Sequence, residues 1–319
     1  MGYDVIGDIH GYAAKLEALL RKLGYTNRGG DWKPPTERQA VFLGDLIDRG
    51  PEQVKTLDIV RRMIDAGNAR CIMGNHEFNA LGYATRWSDD STTYLRPHSP
   101  KNIAQHAEFL HQVGENSAMH REFLAWFRCL PVTLDLGGIR AVHAWWHDSY
   151  VSLIRNQLAE GASMDDAFLV EAHCKGSPEW KAMEGLTKGL EISLPPGHSF
   201  IDHSGIRRTE VRTRWWLETP RSYRQAALVG ESQEDVPDHP LPPDYEGKPV
   251  VGSPVFVGHY WMRGTPRVET PKLACLDWSA AKDGPLVAYR WDGEDILHAG
   301  NLVWTGAETE SLIVGSARP

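Results

Sequence analysis

Clusters of acidic, histidine and asparagine residues recur along the 319-residue chain, each directly after a segment that is predicted to be a β-strand. The clusters are Gly7-Asp8-Ile9-His10-Gly11, Gly44-Asp45-Leu46-Ile47-Asp48-Arg49-Gly50, Gly74-Asn75-His76-Glu77, His143 and Gly258-His259. Carboxylate and imidazole groups bind divalent transition metals such as manganese, iron and zinc. Open α/β sheets place ligands at the carboxyl ends of their strands. The pattern therefore predicts a metal site at the edge of a sheet.

Each cluster also has an ordinary structural explanation when it is considered alone. Asp8 and His10 fit a turn that caps a helix. His143 fits a buried structural histidine, and Gly74-Asn75 tolerates the unusual backbone angles of a turn. The occurrence of all the clusters, in order and on alternating elements, favours the metal site.

The predicted strands and helices that carry the first clusters alternate along the chain. Strands are predicted at 3–6, 40–43 and 69–73, and the spacing of apolar residues predicts helices at 16–23 and 54–64. This β-α-β-α-β order predicts parallel strands with right-handed crossovers.

The rest of the chain is less regular. Residues 78–130 are predicted to form a helical excursion outside the sheet, and Gly137-Gly138 is expected to join the two strands of a hairpin. Further predicted elements are a helix within 151–170, a proline-rich loop at 237–254, a strand at 255–257, and a closing antiparallel pair formed by 273–276 and 286–290.

The ordered motifs resemble those of the calcineurin-like metallophosphoesterase superfamily. They are most similar to the branch that holds phosphoprotein phosphatases and bacterial symmetrical diadenosine tetraphosphatases. The resemblance covers Asp4 to Glu77 and returns around His143, His259 and Cys275-Leu276-Asp277. It implies an α/β fold with two packed mixed sheets flanked by helices. The expected organisation is a single domain, 1–319, with the helical excursion 78–130 and a cap-like insertion 150–254.

The resemblance also implies a role for each matching residue. The expected metal ligands are Asp8 and His10 for the first ion, Asp45 as the bridge between both ions, and Asn75, His143 and His259 for the second. The expected catalytic residues are His76 as general acid, Asp48 as its partner, and Arg49 as the phosphate grip. Two divalent ions, expected to be Mn²⁺ with iron or zinc as alternatives, would lie about 4 Å apart and supply a hydroxide that attacks phosphorus.

Three positions depart from the family pattern. Ala144-Trp145-Trp146 follows His143 where many members have a small residue and a glycine. Trp261 replaces the second histidine of a widespread Gly-His-x-His ending, and Tyr12 stands where a small residue is common. These departures bear on the substrate more than on the reaction.

Aromatic and basic residues in the insertion suggest a substrate pocket. Arg212 and Arg214 alternate along a predicted strand, so both could meet a second phosphate, and Trp215 and Trp216 could stack on a nucleobase. The ordinary alternatives are a solvated charged strand and tryptophans packed in the core.

Composition excludes some classes of function. The formal net charge is −8, from 34 basic and 42 acidic residues, so strong general binding to nucleic acid is not expected. The chain has no apolar run of about 20 residues, the length that a membrane span needs. Its N-terminus does not resemble a signal peptide, and its four cysteines are far apart. A cytoplasmic protein with free thiols is expected.

Three functions remain open from the sequence. The first is hydrolysis of phosphate monoesters, on phosphoproteins or small esters. The alternative is hydrolysis of dinucleoside polyphosphates such as diadenosine tetraphosphate, or of other nucleotides, including nucleic-acid ends. The third is a metal-binding interaction module without catalysis. Retention of His76, Asp48 and Arg49 opposes the third, because a scaffold needs metal ligands but no acid.

Overall fold

The computed structural model describes residues 1–87, 90–158, 161–202 and 205–306. Residues 307–319 of the expected domain and short gaps inside both expected excursions lie outside this part. The strands in chain order are β1 (Gly2–Ile6), β2 (Thr26–Arg28), β3 (Asp31–Lys33), β4 (Arg38–Phe42), β5 (Ala69–Cys71), β6 (Arg86–Trp87), β7 (Asp90–Tyr94), β8 (Thr133–Asp135), β9 (Arg140–Val142), β10 (Glu191–Ser193), β11 (Phe200–Ile201), β12 (Arg207–Arg208), β13 (Glu210–Arg212), β14 (Val255–Val257), β15 (Leu273–Cys275), β16 (Val287–Trp291) and β17 (Leu302–Trp304).

The α-helices of the described chain lie between Ala13 and Ala226, and two 3-10 helices follow them. The α-helices in chain order are α1 (Ala13–Lys22), α2 (Gln53–Asp65), α3 (Asn75–Ala84), α4 (Pro100–Val113), α5 (Ala118–Phe127), α6 (Asp148–Gln157), α7 (Asp166–His173), α8 (Pro178–Lys188) and α9 (Tyr223–Ala226). The 3-10 helices are Gly230–Asp235 and Ala299–Asn301.

The first large sheet is mixed and has the strand order β17-β16-β1-β4-β5. Its β1, β4 and β5 strands are parallel, as the alternating strands and helices predicted, whereas β16 and β17 add in antiparallel fashion. A buried ion pair ties its centre together. Asp4 in β1 accepts hydrogen bonds from Arg38 in β4 and from Arg290 in β16, each with a shortest N–O distance of 2.9 Å.

The second large sheet has the order β15-β14-β9-β8 and packs against the first. The rings of Phe256 in β14 and Tyr289 in β16 lie 5.1 Å apart across the interface. Both belong to one continuous core that also includes Val5, Ile6 and Leu16. The predicted fold class of two packed mixed sheets with flanking helices is confirmed.

Three details differ from the sequence-based expectations. The strands near 273–276 and 286–290 do not pair, because β15 joins the second sheet beside β14 and β16 joins the first beside β1. The excursion after Glu77 contains the β6–β7 hairpin as well as helices. The helix expected within 151–170 is two helices, α6 and α7. For β15 and β16, apolar spacing marked each buried strand, but the strand it pairs with is distant in sequence.

The insertion between β9 and β14 has two parts with different packing. Helices α6 to α8 contribute to the main core through residues such as Leu169 and Leu186. The following segment builds a separate small cluster from Leu194, Phe200, Val211, Tyr223, Ala227 and Val236. No helix in the described residues is long and apolar enough to cross a membrane.

The turn after β4 has no room for a side chain at Gly44. Its φ is +86°, and a Cβ added there would lie 2.2 Å from the backbone N of Gly74. Gly67 also has a positive φ, +73°, but has nothing within 4 Å of an added Cβ.

We therefore expect Gly44→Ala to lower the free energy of unfolding by about 2 kcal/mol or more, because steric overlap adds to backbone strain. Gly67→Ala should cost only the strain, about 1 kcal/mol. Urea denaturation of both variants measures the difference. Equal losses would show that the contact between the two loops does not constrain this turn.

Candidate metal centre

The six residues expected to bind metal converge at the carboxyl ends of five strands. Asp8 and His10 follow β1, Asp45 follows β4, and Asn75 begins α3 just after β5. The remaining two residues of this set are His143 after β9 and His259 after β14. All six side chains are buried, so two sheets deliver polar groups into one enclosed space.

Asp45 lies at the middle of this space. Its Oδ1 is 3.3 Å from His143 Nε2, and its Oδ2 is 3.6 Å from His10 Nε2. The same Oδ1 accepts a hydrogen bond of 2.9 Å from the backbone N–H of His76. One carboxylate therefore faces imidazoles from opposite sides, as a bridging ligand must.

Backbone carbonyls orient two of the imidazoles. His10 Nδ1 donates to Ile47 O at 2.9 Å, and His143 Nδ1 donates to Leu43 O at 2.6 Å. Each bond leaves Nε2 facing Asp45. Histidines that bind metals are commonly held in this way, because the second hydrogen bond fixes the tautomer and the ring orientation.

Asn75 and His259 complete the far side of the space. Asn75 Oδ1 lies 2.8 Å from His259 Nδ1 and 3.2 Å from His143 Nε2. Two buried atoms nearby, Asp8 Oδ1 and His259 Nε2, have no hydrogen-bond partner among the described residues. Buried polar atoms are normally paired, so these orphaned atoms fit a site that takes a ligand.

The charge balance of the site favours a cation. Burial, followed by the charge of Asp277, raises the pKa of Asp8. Burial lowers the pKa of His143, but the charges of Asp45 and then Asp8 outweigh it and raise the pKa to about 10. The carboxylates thus attract positive charge even into a buried position.

Two groups of donors meet the distance requirement for holding a metal ion. One is His10, Asp45 and His76, and the other is Asp45, His143 and His259. In each group the donor atoms lie within 4.8 Å of one another, and Asp45 belongs to both. The set of carboxylate, imidazole and amide donors fits divalent transition metals.

His76 is held by a second carboxylate at the rim of the site. Its Nδ1 donates to Asp48 Oδ2 at 2.5 Å, and its Nε2 lies 3.2 Å from Gln105 Nε2. Burial lowers the pKa of His76, but the charge of Asp45 and the hydrogen bond to Asp48 outweigh it and raise the pKa. His76 Nε2 also faces Asp45 Oδ2 at 3.9 Å, which is why it falls in one donor group.

His106 supports Asp48 from the other side, a contact that the sequence did not indicate. Its Nδ1 donates to Asp48 Oδ1 at 2.7 Å. Burial would raise the pKa of Asp48, but the hydrogen bonds from His106 and His76 lower it to about 2. Asp48 therefore stays ionised while it orients His76. No sequence signal marks His106, because it lies in α4 within the expected excursion.

Glu77 is a second residue that sequence reasoning did not assign. Its carboxylate accepts backbone N–H groups from Asp45 at 2.9 Å, Leu46 at 2.8 Å, Ile47 at 3.3 Å and Gly74 at 3.0 Å. It thereby joins the loop after β4 to the loop after β5. A signal was present, because a glutamate at the third position of α3 can accept the backbone N–H of the residue before the helix, here Gly74.

Arg49, the expected phosphate grip, is partly buried beside the carboxylates. Its guanidinium lies 3.9 Å from the centre of the Trp261 ring. Its Nε is buried and has no hydrogen-bond partner among the described residues. The charges of Asp45, Asp277, Asp48 and Asp8 all act on this guanidinium, so it borders the same space.

The expected base-stacking role of Trp215 and Trp216 is wrong. Their exposed fractions are 2% and 1%, so neither ring has a free face for a substrate. Trp215 Nε1 donates to Tyr260 Oη at 2.9 Å, and the Trp216 ring packs edge-on against the Tyr260 ring at 5.1 Å. Both tryptophans instead anchor the insertion to the strand end that carries His259.

The two arginines expected near the substrate have different surroundings. Arg212 Nη2 donates to Glu191 at 3.3 Å, and its charge contributes, after burial, to lowering the pKa of His259. Arg214 Nη2 donates to Gln225 O at 2.6 Å. Arg212 is therefore close enough to influence the centre, while the contacts of Arg214 tie down its own segment.

Comparison with known proteins identifies the family. The family model for calcineurin-like phosphoesterases matches residues 1–194. The chain belongs to the calcineurin-like phosphoesterases. Members of this family bind divalent metals, which fits the two donor groups that share Asp45.

Two curated relatives of the phosphoesterase have related names. An asymmetrical bis(5'-nucleosyl)-tetraphosphatase from Oceanobacillus iheyensis is 43% identical over 144 residues, 45% of this chain and 55% of that protein. A symmetrical bis(5'-nucleosyl)-tetraphosphatase from Ralstonia nicotianae is 26% identical over 290 residues, 89% of this chain and 87% of that protein. The chain thus spans about half the length of the first relative.

A solved structure also resembles the phosphoesterase. It is a protein serine/threonine phosphatase from Saccharomyces cerevisiae, 16% identical, with a TM-score of 0.48 over 96% of this chain and 79% of that one.

The geometry around His76 yields a prediction about the leaving group. We expect His76→Asn to reduce turnover of an alkyl phosphate by about two to four orders of magnitude, because the leaving oxygen then lacks a proton donor. An aryl phosphate with a very acidic leaving group should lose much less. Steady-state rates on both substrates, with the metal content of each protein measured alongside, test this. Equal losses on both, or loss of bound metal, would assign His76 to metal binding instead.

Proposed function

We propose that this phosphoesterase hydrolyses dinucleoside polyphosphates at a centre of two divalent metal ions. The geometric observation that carries the reaction is the pair of donor groups that share Asp45, next to the His76–Asp48 pair. The substrate class is supported by the names of the two curated relatives, one of which aligns with 89% of this chain. The monoesterase hypothesis, placed first on the sequence alone, has less support than this alternative.

In this proposal Asp45 is a ligand to both ions, as it belongs to both donor groups. One ion is held by Asp8, His10 and Asp45. The other is held by Asp45, Asn75, His143 and His259. We propose Mn²⁺ for both positions. Bound there, the ions would neutralise phosphate charge and activate water at neutral pH.

The chain's own residues do the remaining work. Arg49 pairs with phosphate oxygens through its guanidinium, which is already fixed against Trp261. His76 donates its Nε2 proton to the leaving oxygen, and Asp48 keeps the ring oriented through Nδ1. His106 keeps Asp48 in place. A non-catalytic scaffold would have no use for this His106–Asp48–His76 arrangement.

The cellular setting is part of the same proposal. All four cysteines are free, two of them exposed, as expected for a protein of a reducing compartment such as the cytoplasm. We propose a phosphorylated small molecule as the partner, and neither a membrane nor general nucleic acid.

A product analysis tests the proposed function. With Mn²⁺ added, we expect kcat/KM for diadenosine tetraphosphate to exceed that for a phosphopeptide or p-nitrophenyl phosphate by about tenfold or more. Anion-exchange separation of the nucleotides then shows the cleavage position. Two ADP molecules mean symmetrical cleavage, and ATP with AMP means asymmetrical cleavage.

The control for this assay is Asp45→Asn, which should be inactive on every substrate. A preference for the phosphopeptide or the aryl phosphate would return the chain to the monoesterase hypothesis. Absence of turnover on all three substrates would contradict both.

A further inference from the structure

Trp261 carries two cations on its ring. The guanidinium carbon of Arg49 lies 3.9 Å from the ring centre, and Lys282 Nζ lies 4.6 Å from it. Both distances fall within the range of cation–π attraction. Trp261 stands where many family members have a second histidine after the Gly-His motif. In this chain the residue at that position is an aromatic ring that contacts two cationic side chains.

The two cations differ in exposure. Arg49 is partly buried and borders Asp45 and Asp8, whereas Lys282 is exposed. The Lys282 ammonium has no ion pair or hydrogen bond within the part of the chain that the structure describes. Positive charge therefore continues from the metal centre, across one indole ring, to the surface.

The loop that carries Lys282 is held in place by residues after β1. Tyr12 Oη donates to Ala281 O at 3.2 Å. Lys15 Nζ donates to Ala280 O at 2.8 Å and to Gly284 O at 3.0 Å. The departure from the family pattern at Tyr12 thus has a structural consequence, which is a fixed position for the loop beside Trp261.

Asp277 fixes the other end of the same loop. Its Oδ2 accepts the backbone N–H of Trp261 at 2.8 Å, and its Oδ1 accepts the backbone N–H of Ser279 at 3.0 Å. The buried Asp277 carboxylate thereby fixes the position of Trp261 relative to the loop that carries Lys282. Groups that are ordered before binding lose less entropy when a ligand arrives.

We propose that Arg49, Trp261 and Lys282 form a polyphosphate subsite, in which Arg49 binds the phosphate at the metal centre and Lys282 binds a phosphate farther along the chain. This inference rests on the proposed function and deepens it. A monoester has one phosphate and reaches only Arg49. A dinucleoside polyphosphate or inorganic tripolyphosphate carries further phosphates that extend to Lys282.

The Lys282 ammonium is a local positive charge on a protein whose net charge is negative. The chain has a net charge of −8, so polyanions are not attracted by the molecule as a whole. Asp283 adjoins Lys282 in the loop, and its charge acts on Lys15. The subsite therefore depends on the Lys282 ammonium itself rather than on a broad basic surface.

A charge-removal series tests the subsite. Lys282→Gln should raise KM for diadenosine tetraphosphate about fivefold, with a smaller change for p-nitrophenyl phosphate. Lys282→Arg keeps the charge and should stay near wild type. Lys33→Gln, on the exposed β2–β3 hairpin that carries no site residue, is the matched control for loss of one surface charge.

Inhibition constants keep this test independent of the proposed substrate. With p-nitrophenyl phosphate as substrate and Mn²⁺ in fixed excess, Lys282→Gln should weaken inhibition by tripolyphosphate about fivefold and inhibition by orthophosphate much less. If diadenosine tetraphosphate is not hydrolysed, the proposed function fails, but this difference still supports the subsite. Equal effects on the two inhibitors, or no more effect than Lys33→Gln, would overturn it.

Discussion

Three buried carboxylates, Asp8, Asp45 and Asp277, converge where the two large sheets meet, and the groups around them must offset their mutual repulsion. Like charges at close range in a poorly solvated space are unfavourable unless positive charge balances them. Within the described residues that balance comes from Arg49, from imidazoles such as His143 and from backbone N–H groups. Divalent ions shared through Asp45 would complete it, so metal binding and stability of the fold are coupled at this point.

The loops that present these groups store strain to do so. Nine non-glycine residues in the described chain have positive φ, and six belong to the centre or its rim, namely His10, Asp45, Asp48, Arg49, His259 and Trp261. Such conformations persist when surrounding contacts impose them. Glu77 supplies the main contact, since its carboxylate binds four backbone N–H groups from two loops. Burial and the charge of Asp45 raise the pKa of Glu77 to about 7, so it too depends on positive charge nearby.

The sequence was most informative where local pattern and function coincide. Parallel β1, β4 and β5 followed from alternating apolar segments, and the residues of the centre followed from polar clusters at strand ends. Partners distant in sequence were not predictable, as β15, β16 and His106 illustrate, because their positions depend on packing between segments. For Trp215 and Trp216 the sequence suggested a binding role that the structure does not support. Paired tryptophans suit either a core or a binding surface, and only their burial decides between the two.

The central claim is that Asp45 is shared by two metal ions. Its most direct test is to remove metal from the protein with a chelator, add Mn²⁺ back, and follow binding by calorimetry and stability by thermal unfolding. We expect two ions to bind per chain and the unfolding temperature to rise with Mn²⁺ concentration, because only the folded state brings the ligands together. Asp45→Asn should remove both the binding and most of the rise while the chain remains folded. Binding of a single ion, or unchanged binding in Asp45→Asn, would contradict a centre in which Asp45 is shared between two ions.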